Sequence, residues 1–290
     1  MLRRIVSLLF AVRIFMNIPF CKMSGSGNDF VIIDNRSRLM EQVDLPAFVR
    51  AVCRRSISVG ADGLILIESA HTAGCDFAWR FFNADGSEAE MCGNGGRCAA
   101  RFAVIQGIAG ARLSFETRAG IIHADVQNNR VKIELPSPRA CEMNLTVTVD
   151  DTPLLLHFIN TGVPHVVTFV DLVAEVRVRE LGKTLRFHPR FQPAGTNANF
   201  ATVNGSAHLA VRTYERGVED ETLACGTGSV AAALIASALG RVVSPVQVTT
   251  RGGETLTVYC DNATFPFGRV YLEGAVRMVC SGEIWEEAYQ

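Results

Sequence analysis

Two cysteines in this chain stand where a sulfur can act as an acid or a base. Cys92 lies in FFNADGSEAEMCGNGGRCAARF (81–102), followed by Gly93, Asn94, Gly95 and Gly96 and then by helix formers. Cys225 lies in YERGVEDETLACGTGSVAAAL (214–234), followed by Gly226, Thr227 and Gly228 and an alanine-rich run. A glycine-rich entrance to a helix leaves backbone N–H groups free and puts the positive end of the helix dipole there. A thiol at that point is expected to have a lowered pKa, with thiolate available near neutral pH. The same N–H groups can hold a carboxylate. A single such cysteine is most simply a packed, inert thiol, since free cysteine is among the most buried residue types. Two in matching settings point to two proton-transfer groups facing one substrate.

The rest of the composition narrows the class. The chain has 290 residues, 48% of them hydrophobic, and a net charge of −1. That is enough apolar material for a sizeable core in one or two domains. The charge balance offers no footprint for nucleic acid or an anionic membrane surface. Nine cysteines, an odd number without framework spacing, read as reduced thiols of a cytoplasmic protein. Cys92 and Cys98 are too widely spaced for a zinc pair, and no second pair accompanies them, so no metal site is expected. Near the N-terminus, Arg3 and Arg4 precede the apolar run Ile5–Val12, which Arg13 interrupts. No signal-peptide cleavage pattern follows, and the run is too short to span a bilayer. Residues 1–15 are read as an extension ahead of a start at Met16, with a targeting segment as the other option.

The two loops need a scaffold. Phe30–Asp34 (FVIID) follows the Gly/Ser loop Ser24–Asn28 and reads as a buried strand. Asp44 is placed to cap a helix over LPAFVRAVCRR, with Pro46 in its first turn. Phe77, Trp79 and Phe81 alternate with Ala78, Arg80 and Phe82, a period-two strand with aromatics on one face. Arg97–Gln106 reads as a helix closed by Gly107, and Ser229–Leu239 as one closed by Gly240. Ile121–Val126 and Arg130–Leu135 form a hairpin about Asn128–Asn129. A helix-like segment is expected over Leu172–Gly182, and separate strands over Arg269–Glu273 and Val276–Cys280. Pro136-Ser137-Pro138 punctuates the chain and marks a domain boundary. Each half then holds several strands, one Cys-Gly loop and one central apolar helix. This is a duplicated α+β arrangement, and the cleft where the loops meet is the expected ligand site.

SGSGNDFVIID (24–34), the two cysteine stretches, TGVPHVV (161–167) and GTNANF (195–200) cover nearly all of the chain after Met16. In this order they resemble the diaminopimelate epimerase family of pyridoxal-independent amino-acid epimerases. Shorter pieces such as CGTG are shared with proline racemase and its relatives. The resemblance implies an α+β fold of two pseudo-symmetric domains, each a mostly antiparallel sheet curled around a central α-helix. Residues 16–136, with 277–290 returning to them, would form the first domain and 137–276 the second. The implied activity interconverts LL- and meso-diaminopimelate, on the route to lysine and peptidoglycan, without a cofactor. Cys92 and Cys225 would be the two bases. Inversion by 1,1-proton transfer removes hydrogen from one face and delivers it to the other, which two opposed groups do without moving around the substrate.

The same resemblance assigns the remaining roles. Gly93, Asn94, Gly226 and Thr227 would bind the α-carboxylate. Arg216 would clamp the distal carboxylate with its planar fork, and Asn28, Asn83 and Asn197 would hold the distal amino-acid end. Glu215 and His165 would assist proton movement and hold an ammonium group. The implied partner is the small-molecule substrate, with neither nucleic acid nor membrane, and a homodimer stays open. Two positions depart from the pattern: Val163 stands where many members carry Asn, and Gly63 where some carry Gln near the second loop. Competing readings are a proline or hydroxyproline racemase of the same fold and a non-catalytic amino-acid-binding protein. Isomerases of the phenazine-biosynthesis type share the architecture without the cysteine pair.

Overall fold

Runs of branched residues set the first strands. Asn28–Asp34 and Gly63–Glu68 carry apolar side chains on both faces and are buried on both. Like other doubly covered strands they pair in parallel, Phe30 opposite Gly63 through Asp34 opposite Ile67. The computed structural model describes residues 17–290, so the extension at 1–15 and the start at Met16 lie outside the described residues. From Gly63–Glu68 the sheet continues through Phe77–Asn83, Arg112–Thr117, Gly120–Gln127 and Arg130–Leu135 to the last long strand, Val270–Ile284. That strand pairs with Ile18–Gly25, which pairs with Asn28–Asp34, so the ring closes.

The second half repeats the pattern of pairings. Thr152–Asn160 is antiparallel to Pro164–Phe169, which is parallel to Asn197–Gly205. Asn197–Gly205 is antiparallel to His208–Glu215, which is parallel to Val246–Thr250. Thr255–Cys260 then leads to the start of Val270–Ile284. Each half thus has two parallel pairs among antiparallel ones, and one parallel pair per half flanks a cysteine loop and its helix.

Among the described residues, four α-helices fill or cover this sheet. α1 (Leu45–Val52) is capped by Asp44, whose carboxylate accepts the Ala47 N–H, as expected. α2 (Gly93–Ile105) runs inside the first ring, and its buried residues join a core with Phe77, Trp79, Phe81 and Phe115. Phe77 and Phe115 stack with ring centroids 4.9 Å apart. Phe82, on the opposite face of its strand, packs with Phe48 and Val49 of α1. α3 (Val178–Arg186) lies outside. α4 (Gly226–Ala238) occupies the second half and is apolar on nearly every side, as a fully enclosed helix must be.

Four elements differ from the sequence reading. Both inner helices begin earlier than expected, at Gly93 and Gly226, because the glycines that argue against helix are where the helices meet their sheets. A Cβ on Gly95 would touch Ile65 and Trp79, each at 3.4 or 3.5 Å. α3 begins after a short 3-10 turn over Val173–Glu175 and runs past Gly182. Gly182 does not end it, because a Cβ there would lie 2.4 Å from Tyr214 Cβ, so glycine lets the helix seat on the sheet. Val270–Ile284 is one strand where two were expected. Gly274, the apparent break, leaves room for the guanidinium of Arg97, 3.1 Å from where its Cβ would be.

Candidate active site

Each of the two cysteines is the N-cap of its inner helix. Cys92 precedes α2 and Cys225 precedes α4, both with extended backbone. Cys92 Sγ accepts the Gly95 N–H at 3.4 Å, and Cys225 Sγ lies 3.5 Å from Thr227 Oγ1. The two loops abut. A Cβ on Gly226 would lie 3.3 Å from Asn94 Oδ1 of the first loop and 3.1 Å from Leu272 Cδ2. The same Leu272 methyl lies 3.8 Å from the matching point on Gly93, so one side chain of the shared strand supports both helix entrances.

Both cysteines line one cavity of about 740 Å³. Gly93, Asn94, Gly226 and Thr227 also line it, so the first free N–H groups of two helices border one space. Asn28, Asn83 and Glu215 contribute further polar groups. Asn94 Nδ2 donates to Asn28 Oδ1 at 2.8 Å, and Asn28 Nδ2 donates to Asp62 Oδ2 at 2.9 Å. Asn83 Nδ2 donates to Ser87 Oγ at 3.0 Å. Val163 lines the cavity too, where it adds an apolar surface in place of a donor. Gly63 does not line it. Gly63 pairs with Asn83, and a Cβ there would lie 2.6 Å from Phe82 O, so strand packing demands glycine.

Asn197, His165 and Arg216 are not among the residues that line the cavity. Asn197 is buried, donates to Pro164 O at 2.9 Å and accepts the Arg216 backbone N–H at 2.8 Å. The Arg216 guanidinium donates to Ala194 O at 2.8 Å. His165 is fully buried, with Nδ1 at 3.1 Å from Asn199 Nδ2. Asn199 also donates to Val166 O and accepts from Thr213 Oγ1, fixing the ring's surroundings. Several lining residues escaped the sequence reading. Asp62 was not singled out, although it accepts the Asn28 Nδ2 and Asp29 N–H groups and faces Arg55. Thr161 donates to Thr227 O at 3.2 Å and anchors the second loop. The aspartate in Gly60–Gly63 was the available signal for Asp62, and Thr161 sits in TGVPHVV.

The electrostatics correct one expectation. Burial pushes the Cys92 thiol up, and the Gly95 and Asn94 N–H groups and Arg97 only partly oppose it. Burial pushes the Cys225 thiol up as well, with the Glu215 carboxylate adding to the effect. Desolvation outweighs the helix ends in the free protein, so both sulfurs rest as thiols rather than with lowered pKa. Burial also raises the Glu215 carboxyl above the usual carboxylate range. Burial, then Arg216, lowers His165 to about 3, so its imidazole is neutral. Among the described residues no group of three or more His, Cys, Asp or Glu is placed to hold a metal ion.

Two half-repeats of mostly antiparallel strands, each wrapping one inner helix, define the α+β fold. Solved structures share it at low identity. The phenazine biosynthesis protein of the PhzF family from Bacillus anthracis has a TM-score of 0.69 at 15% identity, covering 93% of this chain and 99% of that one. A hydroxyproline epimerase from Agrobacterium vitis has a TM-score of 0.69 at 14% identity, covering 93% of each chain. The chain belongs to the diaminopimelate epimerase family, whose profile matches residues 20–139 and 157–279. A diaminopimelate epimerase of Aquifex aeolicus is 48% identical over 94% of this chain and 100% of its own length. One from Hydrogenobaculum is 44% identical over 92% of this chain and 99% of its own. The protein is an isomerase acting on a small molecule.

Proposed function

We propose that the protein epimerises LL-diaminopimelate to meso-diaminopimelate by proton transfer between Cys92 and Cys225, with no cofactor taking part. The observation that carries this reading is the pair of N-cap cysteines lining one cavity at the entrances of two repeated helices. One sulfur takes the α-hydrogen as thiolate while the other delivers hydrogen as thiol, and the roles exchange in the reverse direction. The α-carboxylate sits on the N–H groups of Gly93, Asn94, Gly226 and Thr227, where negative charge developing on it is stabilised. Both thiols being protonated in the free protein, the reactive form is a minor one until substrate arrives. The substrate's ammonium brings positive charge that favours thiolate, and Glu215 is the cavity carboxylate that can hold that ammonium.

Asn28, Asn83 and Asn197 read the distal end in this scheme. Arg216 reaches the distal carboxylate by exchanging its bond to Ala194 O for a charge-assisted, two-pronged one. His165, neutral and held by Asn199, supports the strand beneath the second loop. Val163 makes the distal wall less polar than in many relatives, which leaves a related diamino acid as the second substrate reading. Residues 16–136 with 277–290, and residues 137–276, act as the two lobes. Cytoplasmic residence fits the reduced cysteines, and among the described residues no helix is long and apolar enough to cross a membrane.

The test is solvent deuterium entry at the α-carbon of diaminopimelate, followed by NMR without pyridoxal phosphate. Wild type exchanges and epimerises. Cys92→Ala and Cys225→Ala each abolish epimerisation, and the double variant abolishes exchange. Full exchange by the double variant overturns the assignment.

A further inference from the structure

Arg97 has the bulkiest fully enclosed side chain among the described residues, with 0% of it exposed. Only one of its nitrogens is hydrogen-bonded: Nη2 donates to Asn94 Oδ1 at 2.8 Å and to Ser26 Oγ. Nε and Nη1 have no acceptor. No carboxylate among the described residues forms an ion pair with it. Enclosing a guanidinium with so few partners opposes folding, and an apolar side chain of similar volume would fill the slot at less expense. The slot is nevertheless shaped to admit it. Gly274 leaves room against Cζ, and a Cβ on Gly25 would lie 3.9 Å from Nη2.

The direction of the hydrogen bonds shows what the cation does. Because Arg97 can only donate, Asn94 must turn Oδ1 toward it and Nδ2 away. Nδ2 then meets Asn28 Oδ1 at 2.8 Å, which leaves Asn28 Nδ2 to meet Asp62 at 2.9 Å. Reversing either amide would set donor against donor. Asn94 and Asn28 both line the cavity, and Asn94 Oδ1 is the atom against which Gly226 of the second loop rests.

We propose that Arg97 is a positioning residue that fixes the amides of Asn94 and Asn28 in one orientation and supplies a buried positive charge on the helix that Cys92 caps. The inference rests on the reading of Cys92 as a proton-transfer group. The groups acting on Cys92 are the Gly95 and Asn94 N–H and Arg97 from α2, which favour thiolate, and Glu215 across the cavity, which opposes it. Arg97 itself is faced by Cys98 and Cys92 from α2, by Glu254 from the turn before Thr255–Cys260, and by Arg130.

Two variants separate charge from orientation. R97K keeps the charge but ends about one bond short of Asn94, and R97Q keeps a donor without the charge. Each cysteine's iodoacetamide labelling at pH 8 is followed by peptide mass spectrometry, alongside steady-state α-deuteration of diaminopimelate. R97Q slows labelling of Cys92 about tenfold or more, roughly one pKa unit, with Cys225 within about twofold. R97M serves for the same measurement if R97Q is insoluble. R97K leaves Cys92 labelling within about threefold of wild type but lowers kcat/KM about tenfold, mainly through KM. Equal slowing of both cysteines in R97Q, or slowing of Cys92 in R97K as large as in R97Q, overturns the charge role. An unchanged kcat/KM in R97K overturns the orienting role. Absence of diaminopimelate turnover in wild type would instead sink the functional reading, and the labelling ratios would still decide the charge role.

Discussion

Replacing Gly228 by alanine tests whether the cysteine loops are held in place by packing behind them. A Cβ at Gly228 would lie 2.3 Å from Asn199 Oδ1 and 3.1 Å from Thr213 Oγ1. The first distance is about 1 Å or more inside van der Waals contact. Asn199 cannot swing aside freely. Its amide donates to Val166 O at 2.8 Å, lies 3.1 Å from His165 Nδ1, and accepts from Thr213 Oγ1 at 2.9 Å. Either those buried bonds break, at about 1–3 kcal/mol for each group left unsatisfied, or the first turn of α4 moves. Overpacking of this kind typically costs about 1–3 kcal/mol. A shift of about 1 Å carries Cys225 off the line to Cys92, and misplacement of that size can cost about 100-fold in rate. Urea unfolding and α-deuteration of diaminopimelate read the two effects. The expected outcome for Gly228→Ala is a loss of about 2–3 kcal/mol and about a 100-fold lower kcat. Shortening Asn199 to serine in the same background restores part of both. A Gly228→Ala protein within about 0.5 kcal/mol and threefold of wild type would refute the packing argument.

The free protein's thiols make a second check. Since both pKa values are raised, iodoacetamide labelling of Cys92 and Cys225 is slower at pH 8 than that of a free thiol and still climbs past pH 9; a plateau below pH 8 contradicts this. His165 gives a stability signature. Its pKa falls from 6.5 to about 3 on folding, so between those values the unfolded chain binds one more proton and stability declines as the pH drops. The slope is at most about 1.4 kcal/mol per pH unit, and denaturant titrations of His165→Gln from pH 4 to 7 should show it reduced by that amount. Leu272→Ala removes the side chain on which Gly93 and Gly226 both rest. Unfolding stability should fall by about 2–5 kcal/mol, with both cysteines labelled faster; faster labelling of only one would contradict the shared support.

Much of this was legible because periodicity reports burial directly. Phe77, Trp79 and Phe81 share one face of their strand, as the alternation expects, and pack in one core with α2. Asp44 caps α1, and the hairpin turns at Asn128–Asn129, because local chemistry decides both. The misreadings share a cause: glycine was taken as punctuation. Gly93, Gly182, Gly226 and Gly274 lie inside elements where another backbone or side chain comes close, which no local pattern reveals. The raised thiol pKa values were hidden for a related reason. The helix end is visible in the sequence, but the desolvation that overrides it depends on the opposite half of the chain. Arg97 stood in the sequence only as the first residue of the helix Arg97–Gln106, and only the tertiary fold encloses it.

The pairing of Ile18–Gly25 with Val270–Ile284, from Ile18 opposite Ile284 to Gly25 opposite Val276, governs how the protein can be made. The earliest described strand to leave the ribosome must wait for the last. Until the final segment is released, Ile18–Gly25 and Arg130–Leu135 each present a bare edge, and α2 lacks one wall of its enclosure. Folding of the first half during translation therefore stops one strand short, and a nascent chain stalled before Val270 is a candidate for chaperone capture or strand-to-strand aggregation.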